Sequence, residues 1–351
     1  MRIDLHRGAQ RNLVALGVAL SAAAVVLSAC GGAAAPAAST TGSTAATRHL
    51  NIAHFVAIQA NPVEQVIIAS GQQVGKEENA TVTVFDSNND VQRELANCQD
   101  AIASQKYDAF VLKAVSGPPL ESCARNAIAA GIPVVVQGTA LGPEQTTAPQ
   151  VKGIVGTAVT LSTTNGVAVA DLTNRACDAA RAKPCKVIYL FGPVTFDYAS
   201  ITRQSFLSRV GAAYHNVQVV GQAAANFDAD TAANDARQLL QVHPDVNVIV
   251  NDCDPCAVAT EKVVADLGRT GSILVVGAGG SQVGVDAIKS GKQFGDTVIL
   301  PASEARAAVQ MAIRAARHQP VGNTRIDVTR DLSPVGTIVD ASNVDRYHAE
   351  W

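Results

Sequence analysis

From Leu50 onward, short runs of β-branched and other apolar residues alternate with longer stretches whose apolar positions recur at helical spacing. The runs predict strands over 50–58, 81–85, 109–112, 133–137, 153–156, 186–191, 218–221, 246–250 and 273–277. The intervening period predicts helices over 63–75, 91–104, 120–130, 166–182, 201–214, 231–242, 257–267 and 302–316. Glycine and proline mark the joins, as in Ala129-Ala130-Gly131-Ile132-Pro133, which closes one helix and opens the next strand. Continuously apolar strands separated by helices specify parallel sheets covered on both faces. The cycle runs over about 50–156 and again over about 157–279, which implies two doubly wound, Rossmann-like α/β lobes. Ligands of open α/β sheets sit beyond the carboxyl ends of the strands. Two such lobes facing each other therefore enclose a cleft, and a hinged cleft is a ligand trap.

The first residues carry a different pattern. Arg2, Arg7 and Arg11 precede an uncharged apolar stretch from Leu13 to Ala29, too short and Ala-rich for a membrane span. This predicts a secretory leader over 1–29. It runs into Leu27-Ser28-Ala29-Cys30, which resembles the bacterial lipobox, so Cys30 is the expected lipidation site. Acyl chains on Cys30 would anchor the protein without a spanning helix. Residues 31–47 are almost entirely Gly, Ala, Pro, Ser and Thr, so 30–47 reads as an anchored, flexible linker.

Export changes the meaning of the seven cysteines. With Cys30 assigned to lipid, an even set remains in an oxidising compartment. Local spacing favours Cys98 with Cys123, Cys177 with Cys185 and Cys253 with Cys256, although other connectivities, a redox Cys-x-x-C and half a metal site stay open for Cys253-Asp254-Pro255-Cys256. No second Cys pair or His cluster stands nearby to complete a zinc tetrahedron. A net charge of −3 without a long basic run argues against a nucleic-acid partner. His49, His54, His215, His243, His318 and His348 are scattered and no Gly-x-Ser-x-Gly occurs, so nothing points to an enzyme, a metal or a cofactor.

Several segments have a familiar order. Ile52 leads into Asn61-Pro62; Asp86-Ser87-Asn88-Asn89-Asp90 opens a helix; Tyr107-Asp108-Ala109-Phe110-Val111-Leu112 follows; His243-Pro244-Asp245 leads to Asn251-Asp252; Val275-Val276-Gly277-Ala278-Gly279-Gly280 precedes Ala287-Ile288-Lys289-Ser290-Gly291. In this order the chain resembles the type I periplasmic binding proteins of the ribose and galactose class over nearly all of 48–347. The resemblance implies three hinge crossings, near Thr157, Gly280 and Asn323. The N-terminal lobe would then be 48–156 plus 281–322 and the C-terminal lobe 157–280 plus 324–351.

The resemblance also supplies site candidates. Asn61 matches a first-lobe ligand residue, Arg203 lies near a second-lobe ligand arginine, Phe227 matches an aromatic wall and Asn251 matches the Asn at a strand end. Each has a plainer role available: a helix cap for Asn61, a solvated charge for Arg203, core packing for Phe227 and a turn for Asn251. Departures are equally informative. Val63-Glu64 stands where two phenylalanines are usual, Lys113 where Asn is common, Gly138-Thr139 for an Asp-Arg pair and Gly279 for a hinge Asp. Glu64 and Lys113 either pair with each other or, facing the cleft, suggest an amine, acid or zwitterion. Phe196 and Tyr198 are candidates to replace the lost aromatics, which make up only 4% of the chain.

The reading is of an exported lipoprotein on the outer face of the cytoplasmic membrane. It would be a monomer that captures a small polar solute, sugar or polyol first, for an ABC permease. The alternatives are a sensory receptor component, or a binding protein for a charged or aromatic small molecule. A repressor of the same fold would carry a helix-turn-helix where the leader stands.

Overall fold

The structure, a computed structural model, describes residues 48–351. The leader, Cys30 and the linker lie outside the described residues. The first sheet is built from β1 (Leu50–Val56), β2 (Ala80–Asp86), β3 (Ala109–Leu112), β4 (Val134–Gly138) and β5 (Gly156–Val159), separated by α1 (Pro62–Glu77), α2 (Val91–Ser104) and α3 (Gly117–Ala129). After α4 (Ser162–Ala180) the second sheet takes β6 (Cys185–Phe191), β7 (Val217–Ala224), β8 (Val248–Asn251), β9 (Leu274–Val276) and β10 (Gly295–Thr297), with α5 (Asp197–Ala213), α6 (Ala229–Val242), α7 (Asp254–Asp266) and α8 (Gln282–Lys289) between them. The chain then forms α9 (Pro301–Ala316), β11 (Arg325–Asp327), α10 (Val328–Leu332), β12 (Ile338–Asp340) and a 3₁₀ turn over Val344–Arg346.

Both sheets have six strands, in the orders β11-β5-β4-β3-β1-β2 and β12-β10-β9-β8-β6-β7. All pairings are parallel except β10 with β12. Every residue of β3, β4 and β8 is buried, as expected for strands covered on both faces. Helix starts are locally specified. Asp90 accepts from the Gln92 and Arg93 amides to cap α2, and Asp228 accepts from Thr231 to cap α6.

The crossings fall later in the chain than the resemblance implies. The chain leaves the first sheet after β5, returns after β10 and leaves again after β11. Residues 157–159 and 325–327 therefore belong to the first sheet, while β10, at 295–297, belongs to the second. Helix α8 packs with α7 and β10 and goes with the second lobe too. The physical reason is length: β10, β11 and β12 are three-residue strands, too short to impose a period. One apolar cluster runs from α9 and the first sheet through Val298 and Leu300 to Val339, Val344 and Tyr347, so the lobes share packing behind the hinge.

Three disulfides are present. Cys98–Cys123 ties α2 to α3, Cys177–Cys185 ties the end of α4 to β6, and Cys253–Cys256 spans the first turn of α7. Among the described residues no group of three or more His, Cys, Asp or Glu is placed to hold a metal ion. Likewise, no described helix is long and apolar enough to cross a membrane. Because Cys98–Cys123 closes a 25-residue separation, Cys98→Ala/Cys123→Ala is expected to lower unfolding free energy by about 3 kcal/mol. Urea denaturation checks this, and an unchanged midpoint would contradict it.

Candidate ligand-binding cleft

The carboxyl ends of both sheets face a cavity of about 380 Å³ between the lobes. On the first-lobe side its polar wall is a connected network. Lys113, just past β3, places Nζ 2.7 Å from Glu64 Oε1 on α1, and both side chains are almost fully buried. Glu304, in the first turn of α9, accepts from Thr160 Oγ1 at 2.9 Å and from Gln137 Nε2 at 3.2 Å. Gln137 Oε1 in turn accepts from His54 Nε2 at 2.8 Å, which leaves Nδ1 as the unprotonated, unpartnered nitrogen of a neutral ring. Burial pushes His54 down to about 4, so it stays neutral in this network. Burial by itself would lower Lys113, but the facing carboxylates of Glu64 and Glu304 outweigh it and hold the ammonium above its ordinary value. Glu304 is raised by burial, and Lys113 only partly offsets this. Breaking one side of such a buried pair typically costs about 3–5 kcal/mol, so the charges are locked to each other.

Backbone conformation brings these groups together. Gly138 has φ +66°, and a Cβ there would lie 2.8 Å from Lys113 Cε and 2.9 Å from Glu304 Oε1. Only glycine lets β4 turn into the cleft this close to both.

The second-lobe side is aromatic. Phe196 comes from the β6–α5 connection, Tyr198 from the first turn of α5, Phe227 from the turn after β7, and Trp351 from beyond the 3₁₀ turn. Asn226 and Phe227 have φ of 55° and 59°, left-handed conformations that a bulky side chain adopts only at a cost. That turn presses the Phe227 ring against Gly192, where a Cβ would be 2.4 Å from it. Asp252, at the end of β8, is half-buried on the same wall; its carboxylate accepts from Tyr189 Oη and from the Gly192 amide. Burial pushes it up to about 7 against these bonds.

Across the rim, the lobes also touch directly. Asp197, the first residue of α5, accepts from Ser116 Oγ at 2.9 Å and from the Gly117 amide at 3.1 Å. Ser116 does not cap α3 with its own side chain, so a carboxylate from the opposite lobe serves that helix start.

Of the residues singled out from sequence, Asn61, Glu64, Lys113, Thr139, Phe196, Tyr198 and Phe227 line this cavity together. Asn61 is also the α1 cap, accepting from Val63 N at 2.8 Å. Three others are placed differently. Arg203 is held over the Phe191 ring at 4.4 Å and bonded to Gln222, outside the lining. Asn251 is buried within the second lobe, where Oδ1 accepts from Thr260 Oγ1 at 2.9 Å. Gly279 lies beneath the wall and its neighbour Ala278 lines it. In each case the strand or helix position was legible, but the direction of the side chain depends on neighbours distant in sequence. Glu304, Thr160, Asn226, Asp252 and Trp351 line the cavity without having been singled out. Asp252 alone had a signal, since it ends the quoted strand segment.

A cleft between two parallel-sheet lobes, walled by both and crossed three times by the chain, defines a type I ligand-binding clamp. The model of the periplasmic binding protein domain family matches residues 52–320, and the chain belongs to that family, whose members are solute-binding components of transporters rather than enzymes. The ribose import binding protein RbsB of Bacillus subtilis is 24% identical over 283 residues, covering 79% of this chain and 85% of that protein. Among solved structures, an ABC transporter solute-binding protein from Mycobacterium smegmatis with bound glycerol superposes with a TM-score of 0.68. It is 23% identical, over 85% of this chain and 96% of that one. A Bacillus halodurans solute-binding protein with bound myo-inositol gives a TM-score of 0.72 at 15% identity, over 88% of this chain and all of that one.

A pH prediction follows from Asp252. Its folded value near 7 exceeds the ordinary carboxyl value of 3.8. Between these limits the folded protein holds a proton that the unfolded chain has released, so this group's contribution to stability falls as pH rises through the window. Asp252→Asn should therefore lose less thermal stability between about pH 5 and about pH 8 than the unsubstituted protein. Parallel melting-temperature profiles for the two would rule out the assignment.

Proposed function

We propose that this chain is the extracytoplasmic solute-binding lipoprotein of an ABC importer, anchored through Cys30 and delivering a sugar or polyol to a membrane permease. The observation that carries the reading is the division of the cleft walls. Aromatic rings of the second lobe offer faces for the C–H side of a ring, and buried amide, hydroxyl and carboxyl groups of the first lobe offer partners for hydroxyls. The cavity volume suits a small solute. Lys113 is neutralised by Glu64, which favours an uncharged ligand over the acid or zwitterion that an unpaired lysine would suit. The glycerol and myo-inositol bound by the two solved neighbours support the same class.

The mechanism is closure around the ligand. Contacts from both lobes exist together only when the cleft is shut, so a ligand that touches both shifts the population toward the closed form. The shut form would then present both lobes to the permease.

Calorimetry against D-ribose, D-allose, myo-inositol and glycerol, with glutamate and putrescine as charged controls, tests the ligand class. A neutral member should bind, and Arg203→Ala should change its affinity by less than about threefold. Binding confined to the charged controls would refute the sugar assignment. Closure has its own test in Asp197, which bonds across the rim without lining the cavity. Asp197→Ala should weaken binding of the same ligand by about tenfold, through faster dissociation. Unaltered release in stopped-flow measurements would deny the rim contact a part in closure.

A further inference from the structure

The segment 347–351 is unusual in serving both lobes at once. Tyr347 Oη donates to the Gly280 carbonyl at 2.9 Å, and the Gln282 amide donates to the Trp351 carbonyl at 2.8 Å, which fasten the segment to the second lobe. The Glu350 carboxylate turns the other way. It accepts from the amides of Ala302 at 2.8 Å and Ser303 at 3.0 Å, and from the Ser303 hydroxyl, all in the first turn of α9. That turn also carries Pro301 and Glu304 into the cleft. One residue further, the Trp351 indole lies on the cleft wall.

The orientation of that indole is fixed. Its Nε1–H donates to the Gly279 carbonyl at 3.1 Å. A Cβ on Gly279 would lie 2.7 Å from Trp351 Cζ2, so the ring occupies space that exists only because residue 279 has no side chain. With its single polar atom spent on Gly279, the indole has only carbon surface left to offer the cavity. It cannot read a hydroxyl.

We infer that Trp351 is a ligand-contacting, specificity-determining wall of the cleft, selecting solutes that present a C–H face there, and that Glu350 is the positioning residue that sets this wall against α9. The inference rests on the proposed sugar or polyol reading and goes beyond it by naming the element that discriminates among such ligands. Because Glu350 bonds the turn that presents Glu304, this one dipeptide bridges both walls.

Trp351 is the only tryptophan of the chain, so its emission reports this site alone. The experiment pairs calorimetry with acrylamide quenching of Trp351 in the intact protein, using D-ribose, D-allose, myo-inositol and glycerol as probes. The expected result is that a probe that binds by calorimetry also shields Trp351 from acrylamide. Trp351→Ala should weaken that probe about tenfold or more, and Trp351→Phe should stay within about threefold, because the phenyl face keeps the apolar surface. In the free protein, Glu350→Ala should raise the quenching of Trp351 well below the melting temperature, a change that mere loss of stability does not produce, whereas Glu350→Gln keeps an acceptor for both amides and should stay close to the unsubstituted protein. A probe that binds with unaltered quenching, and equally well to Trp351→Ala, overturns the inference and leaves the sugar reading standing. Unaltered quenching in Glu350→Ala overturns the positioning role. Absence of binding by every probe removes the sugar reading, and the inference with it.

Discussion

The structure depends on one constraint: parallel sheets buried on both faces leave only their strand ends open. The central strands are mostly apolar and helices cover them, so polar chemistry on a sheet face must be buried with a partner, as His54 is with Gln137. The loops at the carboxyl ends are where the chain can present polar side chains. With two such sheets in one chain, those ends meet, and the cleft is the place where the backbone turns and charged groups gather. Gly138 ends a strand at this edge, and Lys113, Thr160, Asp252 and Ala278 each follow one.

Within the cleft the dominant physical fact is charge compensation. A lysine and two glutamates share a water-poor wall, and the ammonium survives because the carboxylates face it. The His54–Gln137–Glu304–Thr160 series satisfies most of the polar atoms behind that wall. The result is a wall rich in hydrogen-bonding groups but without an unopposed cation, facing a second wall that is mostly aromatic carbon. On the aromatic side two successive left-handed residues aim Phe227 inward. Backbone cost of this kind persists where surrounding packing over-determines the conformation, and here it shapes the ligand surface.

The sequence was informative in proportion to the length of its local patterns. Strands such as β1 and β6, seven residues each, and helices such as α2 and α6 carry periods and caps that announce them. The three-residue strands β10, β11 and β12 carry none, which is why the crossings shifted. Site residues such as Asn61, Lys113 and Thr139 could be placed because the resemblance sets them at a helix cap or just past a strand end. Arg203 could not, because its direction is decided by Phe191 and Gln222 on neighbouring strands. Trp351 has no local signal either, as its place depends on Gly279, seventy-two residues earlier.

Taken alone, the amino-acid sequence determined the alternation of strands and helices, the burial of both sheet faces, the two-lobed class and the family. The alternation, the burial and the two-lobed class follow from periodicity and capping, which act over a few residues; the family came from the order of its matching segments. Only the tertiary structure decided which sheet each short strand joins, that Glu64 closes on Lys113, that Asp197 reaches Ser116 across the rim, and that Trp351 enters the cleft. Those outcomes come from packing between segments far apart in the chain, where a one-residue change in direction turns a side chain from pocket to core.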